Sequence, residues 1–472
     1  MSVEEVEARH EAVLDAARPD AVAKQRRRGM LTARERIALL LDDGETLLEY
    51  GGLARPAHPD LEAPADAVVV GTGRVHGRVS VVVSFDYTVL GASQGVNNHA
   101  KTTRAAVLAR QLGAPLFMLT EGGGGRAQEV VADFFVGGVG LGDFHQIALL
   151  SGQVPLIGVA LGRAFAGHAI FLGESDVIIA TKSATIGVAG PPLVKASTGQ
   201  EFTPEQIGGW EIHERAGGVD SIVDDDAAAI AAARRYAHFF VEPLVAFERG
   251  DEGAVREGLR RLVPECGGAY ESRQLVELVA DPGAPSFELR PTWAASVATV
   301  LARIGGRAVG LVASNPAVAD GALDANAADK VSRFVYLCDA FGLPLVFLVD
   351  TPGFAGDGRQ ALVRHAARIP IALSTVRVPL VTVVVGRAHG LTQTLLGGGP
   401  WDPQYHALWP GASYRGLGLA EGDPRGTAFA IAEQFQSDDV IDPGMTRDLL
   451  LEVLGRAPLQ GVREQHHFVD PW

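Results

Sequence analysis

Cysteine occurs only twice in 472 residues, at Cys266 and Cys338. A four-thiolate zinc site is therefore impossible, and no disulfide framework is implied. Positive charge is scarce too: 41 Lys and Arg stand against 56 Asp and Glu, a formal net charge of −15. That balance argues against nucleic acid as the main partner, because phosphate contacts need clustered basic side chains. Long apolar runs are also missing. The longest, QIALLSGQVPLIGVALGRAFAGHAIFLG, is broken by Pro155, Arg163 and His168, whereas a membrane span needs about 18 uninterrupted apolar residues. The opening MSVEEVEARHEAVLDAARPD is acidic and helical in character, unlike a signal peptide. A cytoplasmic protein with no membrane partner is the expectation.

Several familiar site motifs are absent as well. GGGGRAQE (122–129) lacks the Lys-Ser/Thr pair of a P-loop. GTGRVHG (71–77) only loosely mimics a dinucleotide fingerprint, and it precedes an apolar strand when it should follow one. No G-x-S-x-G or H-E-x-x-H occurs and the histidines are scattered, so no metal is expected.

What is present is a core-rich chain, 47% hydrophobic and 21% charged, too long for one ordinary core. It also repeats itself. GRVHGRVSVVVSFDYTVLGAS and the segment to TEGGG (73–124) correspond piece by piece to ARIGGRAVGLVASNPAVADGA and the segment to VDTPG (302–353). VPLIGVALGRAFAGHA (154–169) likewise matches VPLVTVVVGRAHGL (378–391). Val331, Phe334, Val335, Cys338 and Phe341 recur at helical spacing, and Gly113 and Gly342 stand where the two helices should end. LFML and LVFLV read as strands covered on both faces. The alternation predicts two similar α/β domains, 1–250 and 251–472, joined near 245–290.

Each copy places glycine-containing turns after two of its strands: 122–125 and Ala166-Gly167 in the first, Pro352-Gly353 and Gly390 in the second. Any one such glycine is most simply a φ > 0 turn. Together, matched at strand ends, they point to backbone N–H groups offered to a ligand oxygen. Chemistry that uses such donors develops negative charge on oxygen, as when a thioester becomes an enolate. One preorganised donor is worth roughly 3–4 kcal/mol there.

The blocks RGMLTARERIALLLDDG (28–44), GGGGRAQE, TGQEFTPEQIGG (198–209), CDAFGLPLVFLVDTPGF (338–354), ALWPGA (407–412) and DDVIDPGMTRDLL (438–450) together resemble the biotin-dependent acyl-CoA carboxyltransferases, as in the β subunit of propionyl-CoA carboxylase. The resemblance runs from about residue 24 to 455. It implies two tandem crotonase-like domains, the first on the acyl-CoA side and the second on the biotin side. It also implies a homo-hexamer, with each active site shared by neighbouring subunits. Two backbone oxyanion holes are implied, at Gly167 and His168 for the thioester enolate and at Gly390 and Leu391 for the biotin ureido oxygen. Gly123, Gly124 and Gly125 would shape the acyl-CoA pocket. Arg126 would hold that loop or meet a CoA phosphate, and Thr394 would bear on acyl size. The basic run KQRRRG, with Arg27 and Arg28, is either a solvated helix end or a phosphate contact for coenzyme A. With no Met-Lys-Met segment in the chain, biotin would come in trans from a separate biotin carboxylase/biotin carrier subunit.

The chain departs from the family where Gly-Gly-Ala is usual, reading Gly-His-Ala at 167–169 and Gly-Leu-Thr at 390–392. Phe165 reads as one extra residue in the first segment, and Leu391 and Thr392 as bulk beside the second. His168 and His389 are either wall residues or proton carriers. Asp86 and Asp350 stand at strand ends without an obvious partner and read as turn caps. The leading expectation is a carboxyltransferase. A biotin-independent decarboxylase of a malonyl-type thioester and a non-catalytic subunit of a mixed oligomer are the alternatives.

Overall fold

The computed structural model describes residues 2–131, 141–242, 244–262, 268–355, 362–416, 418–420, 422–459 and 467–472; Cys266 lies outside them. The chain divides into two compact units at Val241/Glu242. Cys338 is a buried free thiol.

The first unit carries β1 (Leu48–Tyr50), β2 (Val68–Val75), β3 (Arg78–Phe85), β4 (Leu116–Gly122), β5 (Leu156–Phe165), β6 (Val177–Thr181), β7 (Thr185–Gly187) and β8 (Ser221–Val223). They pair in the order β1-β2-β3-β4-β5-β6-β8, with β7 beside β5. The β2–β3 hairpin is antiparallel, and from β3 onward the pairs are parallel. The first unit also holds helices α1 (Val96–Leu112) and α2 (Gly167–Gly173). Helix α1 ends at Gly113, whose φ of 56° no β-branched residue would readily adopt.

The second unit repeats this with β9 (Phe287–Leu289), β10 (Val297–Ile304), β11 (Arg307–Ser314), β12 (Leu345–Thr351), β13 (Leu380–His389), β14 (Tyr405–Leu408), β15 (Ser413–Arg415) and β16 (Asp439–Val440). The order is β9-β10-β11-β12-β13-β14-β16, with β15 beside β13, so every strand has its counterpart. Helix α3 (Ala325–Ala340) corresponds to α1, and the short α4 (Thr392–Leu395) to α2. Val331, Phe334, Val335 and Cys338 are buried in α3, but so are Asp329, Lys330, Ser332 and Arg333, so the helix is enclosed on all sides and not on one face; Phe341 caps its end, half-buried.

The correspondence reaches single hydrogen bonds. Lys101 in α1 is buried and donates to the carbonyls of Ala65 (2.7 Å) and Val68. Lys330 in α3 is buried and donates to those of Arg290 (2.9 Å), Trp293 (3.0 Å) and Val297 (2.8 Å). Each ammonium gathers carbonyls from a left-handed turn, at Ala65, Asp66 and Ala67 in one unit and at Arg290 and Ala294 in the other. The β4–β5 ladder shifts register between Thr120 and Gly122, and the β12–β13 ladder between Val349 and Thr351. The irregularity falls at the end of the same strand in both units, which is where the site is built.

Candidate active site

In the first unit β4 runs into the glycine segment and β5 into α2. The four glycines do different things. A Cβ on Gly122 would lie 2.4 Å from the His168 imidazole and 2.9 Å from the Ala92 carbonyl. Gly124 has φ of 94°, and a Cβ there would stand 3.1 Å from that of Ala166. Gly123 and Gly125 have open space, apart from the Gly91 carbonyl, which accepts from Gly123 N–H at 3.2 Å.

Arg126 holds this loop from beneath. Its guanidinium is fully buried and bonds Asp66 (2.5 Å), Glu129 (3.0 Å) and the Ser93 carbonyl (2.8 Å). A group so enclosed and so fully bonded is held within the loop. Arg28 lies 3.2 Å from buried Glu121 and over the ring of Tyr87. Glu121 also pairs with buried Arg36 at 2.7 Å. Arg27 is exposed and, with Arg26, Asp15, Pro19 and Val22, lines a recess of about 600 Å³.

At the end of β5, Ala166 takes φ 54° and ψ −119°, a conformation strained for any residue with a Cβ. Its N–H donates to the Gly187 carbonyl at 3.0 Å, and α2 starts directly after it. The N–H groups of Gly167 and His168, opening the helix, have no intrahelical acceptor. The His168 side chain turns inward. It is fully buried, edge-on to Phe85 with ring centroids 4.4 Å apart. Burial pulls its pKa down to about 3, against the opposing effect of the Phe165 carbonyl. The imidazole is neutral across the physiological range and packs as part of the wall.

In the second unit the ladder keeps the register that the shared Gly-Arg-Ala gives. Gly390 N–H donates to the Arg415 carbonyl at 2.6 Å, the bond that Ala166 makes to Gly187. Phe165 and His389 are both the third residue paired to the short outer strand. The two copies match residue for residue here. Gly390 is thus the partner of Ala166, Leu391 of Gly167 and Thr392 of His168. The amide of Gly390 is already committed, and the uncommitted pair here belongs to Leu391 and Thr392. Gly390 supplies the turn, with φ of 63°.

Of the two bulky residues, only Leu391 projects outward, at 69% exposure. Thr392 is buried, and its hydroxyl donates to the His389 carbonyl at 2.6 Å. His389 is buried with Nε2 3.1 Å from Ser413 Oγ. Thr394 is half-buried, and its carbonyl accepts from Trp401 Nε1 at 2.7 Å. The strand-end aspartates are both paired, contrary to expectation. Asp86 accepts from Arg18 (2.8 Å) while also capping Thr88 N–H (3.0 Å). Asp350 accepts from Arg387 Nε (2.8 Å), whose other arm reaches Asp320.

Sequence reasoning placed Ala166 only as part of a glycine turn and passed over Gln94. Ala166 carries no signal, since alanine at positive φ is invisible without the ladder. Gln94 forms an isolated bridge to the glycine loop and is 1% exposed. Among the described residues, no group of His, Cys, Asp and Glu could hold a metal ion, and no helix is long and apolar enough to cross a membrane.

A family model described as the carboxyl transferase domain matches residues 24–418. The propionyl-CoA carboxylase beta chain of Roseobacter denitrificans is 32% identical over 90% of this chain and 90% of its own length. The methylmalonyl-CoA decarboxylase subunit alpha of Propionigenium modestum is 30% identical over 94% of this chain and 93% of its own. Among solved structures, the transcarboxylase 12S hexamer with hydrolysed methylmalonyl-CoA bound superimposes with a TM-score of 0.89 at 30% identity, covering 99% of this chain and 98% of the other. The chain also spans about half (48%) of a single-chain, multi-domain long-chain acyl-CoA carboxylase, at 35% identity and a TM-score of 0.88.

Proposed function

The chain belongs to the carboxyl transferase family, an enzyme class, and from that premise we propose that it moves a carboxyl group between carboxybiotin and the α-carbon of an acyl-CoA. The observation that carries this reading is the matched pair of strand-to-helix junctions. In each unit one amide is tied into the ladder, at Ala166 and Gly390, and the next two are left for a ligand. Fixed amides of this kind stabilise an oxygen on which charge develops, without reorganising when it does.

The Gly167 and His168 amides hold the thioester oxygen as the α-proton leaves. The resulting enolate carbon is then the nucleophile that takes up CO₂. The Leu391 and Thr392 amides suit the ureido oxygen of biotin, since Thr392 keeps its side chain turned away from them. When bound, carboxybiotin supplies the CO₂ equivalent and a ureido nitrogen able to accept the α-proton. Neutral, buried His168 takes no proton in this scheme. Exposed Arg27, at the edge of its recess, is a cation suited to meet a CoA phosphate. The biotin arrives on a separate carrier subunit, and the chain works as a homo-hexamer like that of transcarboxylase 12S.

The likeness to methylmalonyl-CoA decarboxylase subunit alpha supports a second reading, in which the same donors hold the enolate left when a malonyl-type thioester loses CO₂. Incubating the purified chain with methylmalonyl-CoA separates the two. Release of CO₂ without a biotinylated protein favours the lyase. Carboxyl transfer that appears only once biotinylated carrier is added favours the transferase, and silence in both arms contradicts both.

A further inference from the structure

Gln94 occupies a slot in which its backbone is fully used and its side chain is not. Its N–H donates to the Gly124 carbonyl at 2.8 Å, and its carbonyl accepts from Arg126 N–H at 2.7 Å, making a parallel bridge to Gly125. The side chain lies against the start of α2. A Cβ on Gly167 would stand 2.3 Å from Oε1 and 3.2 Å from Nε2. Nε2 is buried, and no described residue accepts from it.

The internal repeat shows that the fold does not require an amide here. Leu323 fills the same slot in the second unit, with its N–H on the Gly353 carbonyl (3.0 Å), its carbonyl accepting from Ala355 (2.9 Å), and a parallel bridge to Phe354. Leu323 is fully buried, so a branched apolar side chain packs there without difficulty. A buried N–H without an acceptor is unfavourable, and native proteins rarely keep one. In the first unit it lies near Gly167, whose amide the ladder leaves uncommitted.

We propose that Gln94 is a substrate-contacting residue, its side-chain N–H donating to an oxygen of the acyl thioester held at the Gly167 and His168 amides. This rests on the carboxyltransferase reading above. The ligand group is an acceptor oxygen carrying partial or full negative charge, the thioester carbonyl or an α-carboxylate. Gln94 is thereby distinct from Arg126, which shapes the same loop through buried ion pairs.

The test compares the wild-type hexamer with Gln94→Leu, the residue used in the second unit, and Gln94→Met, which keeps an unbranched shape. Melting temperature is measured alone and with propionyl-CoA or methylmalonyl-CoA, alongside kcat and KM for carboxyl transfer. Both variants are expected to melt at or above the wild-type temperature without thioester, because an unpaired buried donor has been removed. Both should also lose about 10- to 100-fold in kcat/KM and most of the thioester-induced thermal shift. Wild-type kcat/KM in either variant overturns the proposal. So does a large fall in the unliganded melting temperature of both, which would make the amide structural. A wild-type protein that neither shifts nor turns over with either thioester overturns the carboxyltransferase reading itself, and the inference with it.

Discussion

The His168 imidazole fills the volume that a side chain on Gly122 would need, with a hypothetical Cβ only 2.4 Å from ring atoms Cε1 and Nε2. The first glycine of the loop and the second residue of α2 are therefore one packing unit, although 46 positions separate them in the chain.

Gly122→Ala should destabilise the protein by roughly 1–3 kcal/mol through overpacking. His168→Ala should also destabilise, by opening a cavity, yet the double variant should cost much less than the two singles together. Chemical denaturation of the three variants checks this, and simple additivity would contradict the packing relationship.

Buried His168 and half-buried Glu174 should give stability opposite pH limbs. The folded-state pKa of His168 is depressed from 6.5 to about 3, so the unfolded chain binds the extra proton, and stability falls as pH drops from 6.5 towards 3. Glu174, just after α2, is pushed up from 4.5 to about 8, first by burial and then by Asp143. Its contribution is full below 4.5 and is lost as pH rises through 8. His168→Leu should flatten the acid limb and Glu174→Gln the alkaline one in melting curves from pH 4 to 9 (roughly the span the two shifts cover). Unchanged limbs would show that these groups are solvated.

Arg126→Leu should cost on the order of 3–5 kcal/mol, because it strands the buried carboxylates of Asp66 and Glu129. A variant of full stability that had lost only CoA affinity would return Arg126 to the phosphate-binding role.

Much of the architecture could be read from the chain because its signals are local. Gly113 ends its helix by the sign of φ, the continuous apolar runs become β4 and β12, and the repeated Gly-Arg-Ala marks the ends of β5 and β13. What escaped depends on contacts between distant residues. Neither the pairing of Asp86 with Arg18 nor that of Asp350 with Arg387 leaves any trace in spacing. Gly167 and Gly390 look alike in sequence, which hides the fact that they are not equivalent positions. Only the bonds to Gly187 and Arg415 reveal that the positive-φ position is alanine in one copy and glycine in the other. Gln94 was missed for a related reason, since a polar residue in a turn is expected to be solvated and this one is buried.

The most direct test concerns Leu391. Its φ of −69° already suits proline, its side chain is exposed, and the residue before it is glycine, so Leu391→Pro deletes one uncommitted amide with little disturbance. Turnover of acyl-CoA with biotinylated carrier should fall roughly 100- to 1,000-fold in kcat while the melting temperature holds. Near-wild-type kcat in a folded Leu391→Pro protein would contradict the claim that these amides carry the reaction.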